Sequence, residues 1–502
     1  MSVEYLKRIL SARVYDVAIE SALDFAPLLS ERLGNNVWLK REDTQPIFSF
    51  KLRGAYNRMI RLSPAQAKAG VVASSAGNHA QGVALSASKL GIRATIVMPR
   101  TTPQIKVDAV RRLGATVVLQ GDNYDGAFEY ASQIEATQGL TFVHPYDDPD
   151  VIAGQGTIGM EILKQHGGDL DAIFVPVGGG GLIAGIAAFV KEMRPDVKVI
   201  GVEPEDADAM AQSLRAGERV KLSTVGSLAD GVAVRQVGVE TFRIVRELVD
   251  EILVVSNDEI CAAIKEIYED RRSVLEPSGA LAYAGLRRFV EREGSKEREF
   301  VAIASGANMN FDRLRHISER AEIGERREAV VAVTIPERPG SFRQFCAAIG
   351  ARNVTEFNYR YADDRQAHVF VGLQINDGSE LKDVIEHLRS LGYETIDLTD
   401  NEVAKLHVRH MVGGRAPHAG GETALSFQFP ERPGALMNFL QKMGERWNIS
   451  LFHYRNHGAD FGRVLVGMQV PVEDQGDLKA FLIDLDYSYT DETLNPAIGL
   501  FL

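Results

Sequence analysis

From about residue 70 onward, short apolar runs alternate with segments of helical periodicity: GVVAS then an Ala-rich helix, ATIVMP then VDAVRRLG, TVVL then FEYASQIEA, AIFVPVG then LIAGIAAFVKEM, and VKVIGVE. That alternation predicts an α/β architecture with a mostly parallel sheet covered by helices. Ligands in such sheets bind at the carboxyl ends of the strands, so chemistry is expected in the strand-to-helix loops. At 502 residues the chain exceeds what one core usually organises, and two or more domains are expected. A net charge of −12 opposes binding to nucleic acid or an anionic membrane, and Arg271–Arg272 and Arg326–Arg327 stand beside acids rather than in a basic patch. The two cysteines, Cys261 and Cys346, lie far apart without CxxC spacing, which supports neither a disulfide framework nor a structural zinc site. No apolar run is long enough to span a membrane and MSVEYLKRIL lacks a signal-peptide pattern, so the expected location is the cytoplasm.

The charged stretch SERAEIGERREA (318–329) shows no strand pattern and marks a domain boundary. Beyond it the chain repeats: VAVTIPERPGSF (331–342) recurs as LSFQFPERPGAL (425–436), NVTEFNYRY (353–361) as NISLFHYRN (448–456), and VFVGLQI (369–375) as VLVGMQV (464–470). Each copy reads as strand, Pro-Gly turn, helix and strand pair, a small α+β unit, and two copies make a paired subdomain rather than a solenoid. The connecting MVGGRAPHAGGE (411–422) has the small, Gly-rich composition of a linker.

Three loops and one lysine carry the chemistry. Lys51 in SFKLRGAYN (49–57) sits between Phe50 and Leu52. Desolvation there would lower its pKa and make the amine a nucleophile for carbonyls, although a lone lysine is ordinarily a solvated surface charge. SSAGNHAQG (74–82) follows a strand and opens a helix, which places Ser75, Ala76, Gly77 and Asn78 where free backbone N–H groups bind carboxylate or phosphate. An ordinary Ser/Asn cap is the plain alternative. In GGGGLIAG (178–185), four consecutive glycines between a strand and a helix are best explained as a phosphate cradle of backbone N–H groups. A rival reading takes Gly179, Gly181 and Ala184 as a dinucleotide fingerprint, with Glu203 as the ribose acid 24 residues after Gly179. That reading leaves Lys51 and the Ser/Asn loop without a role. Ser305 in SGAN (305–308) ends the strand FVAIA, with a hydroxyl able to meet a ring nitrogen. Glu276 in LEPSGA reads as a helix-start acid in preference to a direct cofactor contact.

Taken together, SFKLRGAYN, SSAGNHAQG, GGGGL, EPSGA and SGAN, in this order and spacing, resemble the fold-type II pyridoxal-phosphate enzymes, and among them the biosynthetic threonine ammonia-lyases. The resemblance covers essentially the whole chain, because the doubled PERPG region is similar to that family's paired ACT-like regulatory subdomains. It implies a tryptophan-synthase-β-like catalytic domain over 1–320 with mostly parallel sheets, followed by ACT-like α+β subdomains over 329–402 and 422–502. It further implies pyridoxal 5′-phosphate as a Schiff base on Lys51, Phe50 against the pyridine ring, Asn78 on the ring's 3′-hydroxyl, the phosphate on Gly178, Gly179, Gly180 and Gly181, and Ser305 at the pyridine nitrogen. Ser75, Ala76, Gly77 and His79 would receive the substrate carboxylate. The implied reaction turns threonine into 2-oxobutanoate and ammonia, with Lys51 as the Cα base, isoleucine as inhibitor, valine as its antagonist, and a homotetramer as the assembly.

Two departures sharpen the reaction type. Related serine racemases carry a serine acid/base where this chain has Ala76, so lyase activity with little racemisation is expected. They also bind a divalent metal near a segment resembling GVEPEDADAM, but Ala209 stands where the later acid would be, with Asp208 displaced by one, and no metal is expected beside Glu203. Arg338 and Arg432 of the PERPG turns, together with Tyr359, Arg360, Tyr454 and Arg455, are candidates for an effector pocket. Phe357, Phe452, Tyr359 and Tyr454 suit strand core equally well. A serine/threonine dehydratase of broader specificity, a nicotinamide dehydrogenase and a non-catalytic amino-acid sensor are the competing readings.

Overall fold

The apolar run AIFVP (Ala172–Pro176) is buried along its whole length, which requires packing on both faces of its sheet. The computed structural model describes residues 2–121, 124–226, 228–311, 313–350, 352–360, 365–376, 378–401, 404–405, 408–410, 421–430, 434–455, 461–495 and 498. Ala172–Pro176 lies inside a six-stranded sheet with the spatial order Leu23–Phe25, Asn36–Arg41, Glu299–Ala304, Ala172–Pro176, Lys198–Pro204, Glu251–Val255. The first pair is antiparallel and every other pair parallel. Its two faces feed two cores: Phe174, Phe300 and Ala302 point to one, Ile173, Val175, Val301 and Ile303 to the other. A second sheet, all parallel, runs Thr116–Leu119, Ala94–Met98, Val71–Ser74, Thr141–Phe142.

Both sheets belong to one compact unit, Met1–Gly324; Glu325–Leu502 form another. The charged stretch at 318–329 is itself structured. The helix Arg313–Gly324 buries Ile317 and Ala321 in the core of the first unit, and the first strand of the second unit starts at Glu328, with Glu328 and Ala329 buried.

The second unit is an eight-stranded sheet, antiparallel at every pairing. Each repeat adds a second helix and a fourth strand to what its sequence suggested: Gly378–Ser390 with Glu394–Asp397, and Gln475–Leu485 with Tyr489–Asp491. The copies join through Val354–Arg360 and Asn448–Arg455, antiparallel, with Phe357 opposite Tyr454 and Tyr359 opposite Phe452. Phe342 of the first copy packs on Phe357 at 4.8 Å and on Phe452 of the second at 5.2 Å between ring centroids, so one aromatic core serves both.

The helices Pro149–Gln165 and Gly181–Met193 approach so closely that glycine is required at their contact. A Cβ on Gly185 would lie 2.4 Å from the Ile152 carbonyl oxygen. Gly185→Ala should therefore cost about 1–3 kcal/mol, the range for an overpacked core. Gly168→Ala, where the nearest atom is 3.8 Å away, serves as the control. Urea midpoints of the two variants check this.

Candidate active site

Three strand ends from the two sheets meet at one cavity. Val71–Ser74 runs into Ser75–Gly77, Ala172–Pro176 into the glycine run, and Glu299–Ala304 into Ser305. The cavity has a volume of about 1120 Å³, and its wall includes Phe50, Lys51, Ser75 to His79, Gly178 to Gly181 and Ser305. Every catalytic, cofactor and substrate candidate drawn from the sequence is thus brought to one place.

Lys51 opens the helix Lys51–Met59, with Phe50 at its N-cap. The segment before it is stitched to the SGAN loop: Ala307 N donates to Phe48 O at 2.9 Å and Phe50 N to Ser305 O at 3.4 Å. Lys51 Nζ donates to the Pro145 carbonyl at 3.1 Å and lies 5.2 Å from the centroid of the Phe50 ring. Burial lowers its pKa to about 8, opposed by the Glu276 carboxylate. The desolvation expected from Phe50 and Leu52 is therefore present.

What holds this helix in place was not visible in the sequence. Arg53, two residues on and fully buried, donates to both oxygens of Glu42 at 2.8 and 2.7 Å and of Glu161 at 2.5 and 3.0 Å. Lys40 Nζ, equally buried, pairs with Glu161 at 2.7 Å. Two cations and two anions are matched inside the core, and Arg53 ties them to the helix that Lys51 opens.

Asn78 begins the helix Asn78–Leu90 behind Gly77. Its amide Nδ2 donates to Glu276 Oε1 at 2.6 Å, and its Oδ1 accepts from Asn308 Nδ2 at 2.8 Å. A Cβ on Gly77 would meet nothing within 4 Å, so this loop leaves room for a ligand. His79 is buried and turned away, its Nε2 against the Val143 carbonyl at 2.8 Å; burial and Lys51 hold its pKa down to about 3. Glu276 stands at a helix start, as the sequence reading favoured. It occupies the N-cap of Pro277–Glu293, but its carboxylate makes no cap bond; it receives Asn78 and the Ser278 hydroxyl and lines the cavity instead. Ser305 Oγ donates to the Ser278 carbonyl at 3.1 Å. Small residues are needed here, since a Cβ on Gly306 would lie 2.5 Å from Glu276 Oε1.

In the glycine run, Gly180 is left-handed at φ 92° and caps the helix Gly181–Met193. The N–H groups of Gly181, Leu182 and Ile183 at that start have no intrahelical acceptor, which is the arrangement that binds phosphate. Packing adds a second reason for glycine: a Cβ on Gly179 would lie 2.2 Å from the Tyr146 ring. Glu203, the ribose acid of the dinucleotide reading and the metal-side acid of the racemase comparison, is committed elsewhere. Its two oxygens accept the N–H groups of Met210 at 2.9 Å and Ala211 at 2.8 Å, and burial raises its pKa to about 8. Among the described residues, no group of three or more His, Cys, Asp or Glu side chains is arranged to hold a metal.

In the second unit, Tyr359 is buried with its hydroxyl donating to Glu337 of the PERPG turn at 2.5 Å. Asn448 of the other copy donates to the same carboxylate at 2.9 Å. Phe357 and Phe452 are core residues, Tyr454 packs against that core, and Arg338 is exposed. Arg432 and the side chains of Arg360 and Arg455 lie outside the described residues.

A primary amine of lowered pKa and a glycine-rich helix start, on the wall of one cavity, fit pyridoxal phosphate. The chain matches the pyridoxal-phosphate-dependent enzyme family over residues 19–306 and the C-terminal regulatory domain of threonine dehydratase over 319–408 and 413–502. Fold and site thus define a pyridoxal-phosphate-dependent enzyme of fold type II with a regulatory domain. The chain is 59% identical to the biosynthetic L-threonine dehydratase of Burkholderia multivorans, covering 99% of both chains. It is 51% identical to that of Escherichia coli K12, covering 99% of this chain and 97% of the relative. Among solved structures, the processed form of threonine deaminase isoform 2 from Solanum lycopersicum superimposes with a TM-score of 0.63 at 54% identity, over 64% of this chain and 93% of that one. Maize serine racemase gives 0.59 at 32% identity, over 62% and 95%. The chain belongs to the biosynthetic threonine dehydratase family.

Two outcomes follow. The rate at which cofactor-free protein captures pyridoxal phosphate should rise through about pH 8 and then level off, because the neutral amine is the nucleophile and dominates above its pKa. Stopped-flow absorbance across pH 6.5–10 measures it. Arg53→Met takes the guanidinium from buried Glu42 and leaves Glu161 with Lys40 alone, and should cost about 3–5 kcal/mol, read from the urea midpoint.

Proposed function

We propose that this chain converts L-threonine to 2-oxobutanoate and ammonia in the cytoplasm, as a homotetramer, in the committed step of isoleucine biosynthesis. The observation that carries this is Lys51: an amine of lowered pKa on the wall of a cavity shared with the glycine run and the Ser75–Gly77 loop, in a chain similar over its full length to biosynthetic threonine dehydratases. Bound pyridoxal phosphate supplies the electron sink that makes the Cα proton of an amino acid labile. Lys51 would hold the cofactor and, once free of it, would take the Cα proton as general base. Gly178, Gly179, Gly180 and Gly181 would hold the phosphate, Phe50 would pack on the ring, and Asn78, itself fixed by Glu276 and Asn308, would meet the ring hydroxyl. Ser75, Ala76, Gly77 and the backbone amide of His79 receive the substrate carboxylate at the helix start.

Ser305, which would face the ring nitrogen, would not keep that nitrogen protonated as a carboxylate would, and this would favour prompt loss of the β-hydroxyl. Ala76 offers no proton on the opposite face of Cα, so racemisation stays minor. L-Serine is the competing substrate; the methyl group that separates it from threonine is worth about 1–3 kcal/mol in a pocket. Isoleucine inhibits and valine relieves, through the seam of the paired repeats where Tyr359, Arg360, Tyr454 and Arg455 lie. Such control requires the effectors to bind the active and inactive states with different affinities.

The test is turnover of threonine by the full chain and by a chain lacking residues 329–502. The full chain should release 2-oxobutanoate and ammonia in equal amounts and lose activity with isoleucine, while the shortened chain should stay active and insensitive. Inhibition that survives the truncation contradicts the regulatory assignment, and absence of 2-oxobutanoate contradicts the function.

A further inference from the structure

The wall of the cavity holds a histidine beside Lys51 to which the reading above gives no role. His144 immediately precedes Pro145, whose carbonyl accepts the Lys51 ammonium at 3.1 Å, and it lines the same cavity. Its Nδ1 accepts two backbone N–H groups, from Asp147 at 2.8 Å and from Tyr146 at 3.3 Å. A nitrogen that accepts carries no proton, so the neutral ring must carry its proton on Nε2. The ring is also held in orientation: Tyr146 stands edge-on at 4.6 Å and 90°, and Phe142 flanks it at 6.1 Å. Nε2 has no hydrogen-bond partner among the described residues, and the residue lines the cavity. Burial keeps the ring neutral, its pKa lowered to about 4 against the pull of Asp147 and Asp148, and the positive charge of Lys51 acts in the same direction as burial.

The other polar groups of a β-hydroxy amino acid already have partners in the proposed function. The amine would take the place of the Lys51 amine, the carboxylate goes to Ser75–Gly77 and the start of the next helix, and the hydroxyl on Cβ, one bond from Cα, is left. We propose that His144 donates Nε2–H to the β-hydroxyl of the substrate, holding the leaving group in place and assisting its departure. This inference rests on the lyase reading.

The step balances without a proton from histidine. Lys51 takes the Cα proton, the electron pair of that bond becomes part of the Cα=Cβ bond, the Cβ–O bond breaks, and the departing hydroxide takes the proton from Lys51 and leaves as water. His144 keeps its proton throughout and stabilises the charge that grows on oxygen, as a fixed donor does in an oxyanion hole.

A leaving group that needs neither hydrogen bond nor proton separates this role from a structural one. His144→Ala and His144→Gln are compared with the parent on L-threonine and on β-chloro-L-alanine, with the visible cofactor band recorded for each. His144→Ala should lower kcat on threonine roughly 10²-fold, the effect of deleting one preorganised donor. It should leave chloride elimination within about 3-fold of the parent and the band unmoved. His144→Gln, which retains an N–H donor, should recover part of the threonine rate. Equal losses on both substrates, or undiminished threonine turnover in His144→Ala, overturns the proposal. Failure of the parent itself to show the band or to eliminate chloride would contradict the lyase reading instead.

Discussion

The site depends on a buried charge constellation. Arg53 and Lys40 are removed from water, and each would be strongly unfavourable there without Glu42 and Glu161 to receive it. Because Glu42 follows the strand Asn36–Arg41 and Glu161 lies in the helix Pro149–Gln165, satisfying Arg53 fixes the start of the Lys51 helix against both. Lys51 thus has a place to reach from, and its own amine can remain poorly solvated without unfolding the segment that carries it.

Much of this was legible in the sequence, for reasons that can be given residue by residue. The SSAGN loop, the glycine run and SGAN each follow a strand, and the local pattern alone placed them at strand ends, while Lys51 stood out only by its apolar neighbours Phe50 and Leu52. The glycine run stood out because four adjacent glycines suit neither helix nor strand. Its second reason, the Tyr146 ring against Gly179, was hidden, since nothing local pairs position 146 with position 179. The same holds for Glu276, 198 residues from Asn78 and read as a helix-start acid until the fold brought the two together. Lys40 and Arg53 look like ordinary surface charges in a string of letters. Their burial is a property of the packing around them.

The repeat region was legible in a different way. Duplicated PERPG turns announced two copies, and the match of alternating aromatics announced strands. The second helix and last strand of each copy carry no such shared words, and they emerged with the fold. Joining the copies through their aromatic strands explains why those strands kept bulky side chains: Phe357 and Phe452 fill one core from both sides of the seam. Tyr359 sits in that core and yet reaches a polar partner, Glu337, which Asn448 of the other copy shares. A residue can be structural along its ring and polar at its tip, which reconciles the two readings of these aromatics.

Lys51 remains the centre of the account. Reduction of the protein loaded with pyridoxal phosphate by borohydride, followed by peptide mapping, tests it most directly. The account predicts loss of the visible band and a single pyridoxyl adduct on Lys51; an adduct on another lysine, or none, would contradict it.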